Sequence, residues 1–110
     1  MQIRTVADPP ALACAGADII AEVVRTTPDA VLGLPTGNTP IGMYGELQRC
    51  VDGGELDVSR VVTFAIDEFA GVPRSTPGTN SAFYRAHLRL PLRALHIPNP
   101  DAREPEAHIT

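Results

Sequence analysis

Two short apolar runs without a single charge constrain this chain more than any other feature. They are Ala30-Val31-Leu32-Gly33-Leu34 and Val61-Val62-Thr63-Phe64-Ala65-Ile66. Continuous apolar strands of this kind are covered on both faces, as in a parallel sheet. Between the runs, Ile41, Tyr44, Leu47 and Val51 recur at three-to-four spacing, one stripe of a helix that Asp52-Gly53-Gly54 stops. Before the first run, Leu12, Ala15, Gly16, Ile19 and Val23 mark a second helix, capped by Asp8 with Pro9-Pro10 in its first turn and broken by Thr27-Pro28-Asp29. After the second run, residues 81–90 read as a third helix, with Phe83, Ala86 and Leu90 inward and Pro91 as the breaker. Residues 3–6 read as an opening strand and 95–97 as a closing one. This order implies an open parallel α/β sheet of Rossmann-like type flanked by helices, a three-layer α/β/α arrangement.

The whole chain is 110 residues, room for one domain, so residues 1–110 are expected to be a single unit. Three strands leave a raw sheet edge. The final residues, Asp101-Ala102-Arg103-Glu104-Pro105-Glu106-Ala107-His108, read as a loop entering a new helix. The chain is therefore expected to be the N-terminal part of something longer. Its net charge of −4 argues against bulk electrostatic binding of nucleic acid. All nine cations are Arg, which excludes a lysine Schiff base and the Gly-Lys-Ser/Thr of a P-loop. No apolar run approaches the ~18–20 residues that cross a bilayer, and no secretory signal opens the chain. Cys14 and Cys50 are too isolated for a metal spacing or a disulfide framework, and are expected to be buried, reduced thiols of a cytoplasmic protein.

Ligands of open parallel sheets bind at the carboxyl ends of the strands. The first such end is Pro35-Thr36-Gly37-Asn38-Thr39-Pro40. Glycine lets the backbone turn and approach a ligand, and Thr39 with Pro40 suits a helix start, whose N–H groups and dipole favour an anion. Thr36 and Thr39 add hydroxyls. The same residues equally describe a capped strand-to-helix turn with no ligand. The second end is Asp67-Glu68. Alternation along a strand sends the two carboxylates to opposite faces, so one is expected to face the crevice. A carboxylate beside an apolar strand is partly desolvated and suits a general base, but a solvated acid pair at a helix start is the simpler alternative. His87, His96 and His108 have no partners at metal spacing. Arg85, Arg89 and Arg93 form a solvated stripe, and Tyr44 and Phe64 fit core positions.

Taken together, residues 32–40 and 61–73, in this order and spacing, resemble glucosamine-6-phosphate deaminase. The resemblance runs from about Val31 to Leu90. It implies a Rossmann-like α/β/α sandwich that converts glucosamine 6-phosphate and water to fructose 6-phosphate and ammonia. By this resemblance Thr36, Gly37, Asn38 and Thr39 line the sugar-phosphate pocket. Asp67 is the general base between C2 and C1 of the opened sugar, and Glu68 belongs to the substrate-binding set without a chemical step. No metal or organic cofactor is implied. The implied partner is a small-molecule sugar phosphate, with no nucleic acid or membrane and room for a homo-oligomer in the full-length protein.

Three departures from the deaminase pattern stand out. Asn38 replaces a second glycine, Phe69 replaces a tyrosine, and Gly78-Thr79-Asn80-Ser81 replaces a tyrosine-rich segment. The last drifts toward the related 6-phosphogluconolactonases, whereas Phe69 departs from the arginine those enzymes place there. The family's ring-opening histidine lies in a later segment, so these residues are expected to hold half an active site and to be inactive alone. The alternatives are a lactonase-like hydrolase and a non-catalytic sugar-phosphate sensor. The acid at Asp67 favours an enzyme over the sensor.

Overall fold

The computed structural model describes residues 3–68, 71 and 76–98. Their order is α1 (Pro9–Thr26), β1 (Val31–Leu34), α2 (Thr39–Asp52), β2 (Val62–Ala65), α3 (Asn80–His87) and β3 (Ala94–His96). The strands form one parallel sheet in the order β1-β2-β3. Leu34 pairs with Ala65, so the strand ends that lead to residues 36–39 and 67–68 lie at the same rim. Both crossovers step in one direction across the sheet. With a common right-handed sense they place α2 and α3 on one face.

That face holds the core. Leu34, Val61 and Thr63 are buried with Tyr44 and Leu47 of α2, Tyr84 of α3 and Ala17, Ala21 and Val24 of α1. The sheet is open and parallel, as expected; of the three expected layers the described residues form two, the sheet and one layer of helices. Among the described residues its opposite face is uncovered, with Val31 66% exposed, Ile66 64% and Phe64 37%. Phe64 is thus not a core residue. Its alternation with buried Thr63 turns it outward, where it stacks on His96 at 4.8 Å.

The helices start as their sequences suggest, with shifts in which face is buried. Asp8 caps α1 by accepting from the Ala11 N–H at 2.9 Å, with proline at the first positions. Yet Leu12, Ile19 and Val23 are exposed, while Ala17, Ala21 and Val24 are inward. Helix α1 is apolar on more than one side, so periodicity alone did not choose the face. The small side chains did. A Cβ added to Gly42 of α2 would lie 3.1 Å from the Ala13 Cβ, and one on Gly16 2.8 Å from the Met43 sulfur. Close approach of α1 to α2 therefore uses the alanine and glycine side of α1.

Three other expectations are corrected. Residues 3–6 form no strand, and Ile3 is exposed, because a strand needs a neighbouring ladder and these residues find none among the described ones. Cys14 is exposed at the rim of a hollow that it borders with Glu46 of α2, and Cys50 is half-buried against the core; both are free thiols. In α3, which spans Asn80–His87, Ser81 and Tyr84 are buried; Phe83, and Leu90 beyond the helix, pack half-buried against the core as expected, whereas Ala86 is exposed.

Candidate active site

The loop after β1 turns at Gly37, whose φ is 111°. Helix α2 then begins at Thr39 with Asn38 as its cap residue, one position earlier than expected. Asn38 makes no side-chain cap bond. Thr36 and the buried Pro40 hold the loop's ends half-buried or buried, while Gly37, Asn38 and Thr39 are exposed. The buried Tyr44 hydroxyl donates to the Pro35 carbonyl and the Tyr84 hydroxyl to the Leu34 carbonyl. Two phenols from two helices thus pin the backbone where β1 becomes loop. Burial pushes the Tyr84 phenol up to about 12, with Asp67 and Glu68 adding to it. Burial also raises that of Tyr44, with Tyr84 adding to it.

The loop parts two hollows. One, of about 630 Å³ between α1 and α2, is bordered by Asn38 and Thr39 together with Cys14 and Glu46. The other, of about 530 Å³, is bordered by Thr36 and Gly37 on one side and Thr79, Asn80, Phe83 and His87 on the other. The four loop residues therefore do not face a single cavity. Gly37 borders the hollow toward α3 and Asn38 the one toward α1, while Thr36 and Thr39 together also border a third, of about 380 Å³, with Leu12, Ala13 and Gly16 of α1.

The acid pair also departs from simple alternation. Strand β2 ends at Ala65, so the two-residue period no longer governs Asp67 and Glu68, and both carboxylates reach the start of α3. Glu68 accepts from the Asn80 N–H through Oε1 at 2.8 Å, and from the Ser81 N–H and Oγ through Oε2 at 2.8 and 2.6 Å. A carboxylate here meets two otherwise unpaired helix N–H groups and the positive end of the dipole. Thr79 completes the start, its Oγ1 accepting from the Ala82 N–H at 3.2 Å. Asp67 is exposed rather than desolvated, because it lies past the apolar strand on the loop. Asn80 Nδ2 donates to its Oδ1 at 2.8 Å and to its carbonyl at 3.1 Å.

Asn80 joins the two strand ends. Its Oδ1 accepts from Thr36 Oγ1 at 3.4 Å while its Nδ2 holds Asp67. Thr36 and Asp67 are thus one carboxamide apart at one rim. Sequence reasoning missed Asn80, and also Tyr44 and Tyr84 as loop anchors. A Thr ahead of an amphipathic run could have identified Thr79 as a cap. Nothing local reveals Asn80, whose partners lie 13 and 44 residues away.

No protein-family model matches this chain. It is 41% identical over 95 residues to glucosamine-6-phosphate deaminase 2 of Bacillus subtilis, a match covering 83% of this chain and 38% of that protein. It is 38% identical over 92 residues to glucosamine-6-phosphate deaminase of Alkaliphilus oremlandii, covering 80% and 38%. Among solved structures, a monomeric glucosamine-6-phosphate deaminase of the NagB superfamily superposes with a TM-score of 0.88 at 30% identity. That match covers 97% of this chain and 46% of the other. The chain therefore spans less than half the length of the relatives it matches. Over the matched residues it is a homologue of the glucosamine-6-phosphate deaminases, a family of enzymes, as its two strand-end motifs imply.

Proposed function

We propose that the protein carrying this chain converts glucosamine 6-phosphate and water to fructose 6-phosphate and ammonia, a hydrolytic deamination joined to an aldose–ketose isomerisation in amino-sugar metabolism. Asp67 is the general base. It takes the C2 proton of the opened sugar and returns a proton to C1 through an enediol-like enolamine. Water then replaces the nitrogen at C2, and ammonia leaves. Thr36 and Gly37 meet the sugar phosphate from the α3 side of the loop, Asn38 and Thr39 from the helix-start side. Glu68 serves the site by holding the start of α3. Residues 1–110 act as one unit that supplies the base and one wall of the phosphate pocket, with the ring-opening group outside it.

The protein is placed in the cytoplasm, free to self-associate, with a small sugar phosphate as its partner and neither nucleic acid nor membrane. The net charge of −4 supports the part that concerns nucleic acid. The observation that carries the reading is the link Thr36–Asn80–Asp67, which gathers the phosphate loop and the acid at one rim in a homologue of deaminases.

The test is Asp67→Asn in the protein that carries this segment. A positioned general base contributes ~10²–10⁴-fold, so kcat for ammonia release falls by that range while substrate affinity persists. Near-normal turnover removes Asp67 as the base.

A further inference from the structure

We propose that Asn80 is a positioning residue for Asp67, its carboxamide fixing the carboxylate relative to the phosphate loop. This rests on the reading of Asp67 as the general base. Both polar atoms of the carboxamide are engaged, and with opposite polarity. The Nδ2 group donates to the Asp67 carboxylate and carbonyl, at 2.8 and 3.1 Å, and Oδ1 accepts from Thr36 at 3.4 Å. The amide therefore has one orientation that satisfies all three bonds, since the flipped amide would set its oxygen against the carboxylate.

Asp67 needs such a support. It is exposed and lies beyond Ala65, the last residue that the ladder holds. Asn80, by contrast, stands on a fixed base. It is the first residue of α3, and its N–H is bound to Glu68 at 2.8 Å. The carboxamide also borders the hollow of about 530 Å³ that Thr36 and Gly37 border. A base held this way keeps one distance to the anchored end of a substrate. Misplacement by about 1 Å can cost about 100-fold in rate.

A double-mutant cycle in the protein that carries this segment tests the inference, with kcat and KM for deamination as readouts. Asn80→Ala is expected to lower kcat about 10- to 100-fold, with KM changed by less than about 2-fold. In the Asp67→Asn background the same substitution is expected to cost nothing more, because a residue acting only through Asp67 loses its effect with it. The α3 start uses the Asn80 backbone, the Thr79 hydroxyl and Glu68, so circular dichroism and melting are expected to match the parent. If Asn80→Ala melts early, Asn80→Asp replaces it. That variant retains an acceptor for Thr36 and an acid suited to a helix start, yet lacks the donor, and is expected to show the same loss of kcat.

Unchanged kcat in either variant, a change confined to KM, or an equal loss in both backgrounds overturns the inference. If Asp67→Asn alone keeps turnover, the general-base reading falls and takes the inference with it. If Asp67→Asn loses turnover and Asn80→Ala does not, only the inference falls.

Discussion

Gly37 carries the conformational demand of the first strand end. Its φ of 111° lies where side chains are strained, yet a Cβ there would meet only Pro40 Cδ at 4.0 Å. The requirement is thus for backbone freedom rather than for space. Gly37→Ala is expected to cost about 1–2 kcal/mol, read from the urea midpoint at unchanged slope. It is also expected to raise KM by shifting the loop. A midpoint equal to the parent's would show that the loop relaxes to another turn. Thr36, Gly37 and Asp67 were legible as punctuation, because each stands where an apolar run stops. Asn80 was not, since its role is a meeting of side chains far apart in sequence. Cys14 was misread for a related reason: a thiol on a helix is buried or exposed according to which stripe the neighbouring helix selects.

At the scale of elements, α3 depends on an acid from the preceding strand end. Glu68 accepts three hydrogen bonds at the first two residues of an eight-residue helix. Helices this short are marginal without tertiary support. Glu68→Ala is expected to destabilise the chain by about 1–3 kcal/mol, since the bonds involve a charged acceptor. Glu68→Gln, which can satisfy only part of the set, is expected to lose less. Melting of the two variants checks the order, and equal losses would show that charge rather than shape holds the helix. The same acid pair was legible as a motif, but its geometry was not, because alternation ends with the strand. Similarly, the existence of α1 followed from its cap and spacing, whereas its inward face was set by the close approach to Gly42 and Met43.

Across the whole molecule, two buried phenols tie α2 and α3 to the carbonyls at the end of β1. Burial holds Tyr84 protonated up to about 12 from an ordinary 10.0, and raises Tyr44 as well. The folded chain therefore keeps protons that the unfolded chain releases. The resulting stability is complete below pH 10.0 and is lost as pH climbs toward about 12. The chain has no lysine, so few other side chains titrate there. Ultraviolet titration is expected to show tyrosinate forming together with loss of helix in one step, and at the ordinary value in urea. Tyrosinate formation near pH 10.0 with helix intact would contradict this. Periodicity, caps and breakers are local properties, and they were enough to read the alternation of helices with uncharged strands, the parallel sheet and the two loaded strand ends. The packing of the elements against one another settled which face of α1 is buried, that Phe64 and Ile66 are exposed among the described residues, and that one carboxamide joins Thr36 to Asp67. Those outcomes depend on how separate elements approach one another, and no local pattern encodes that distance.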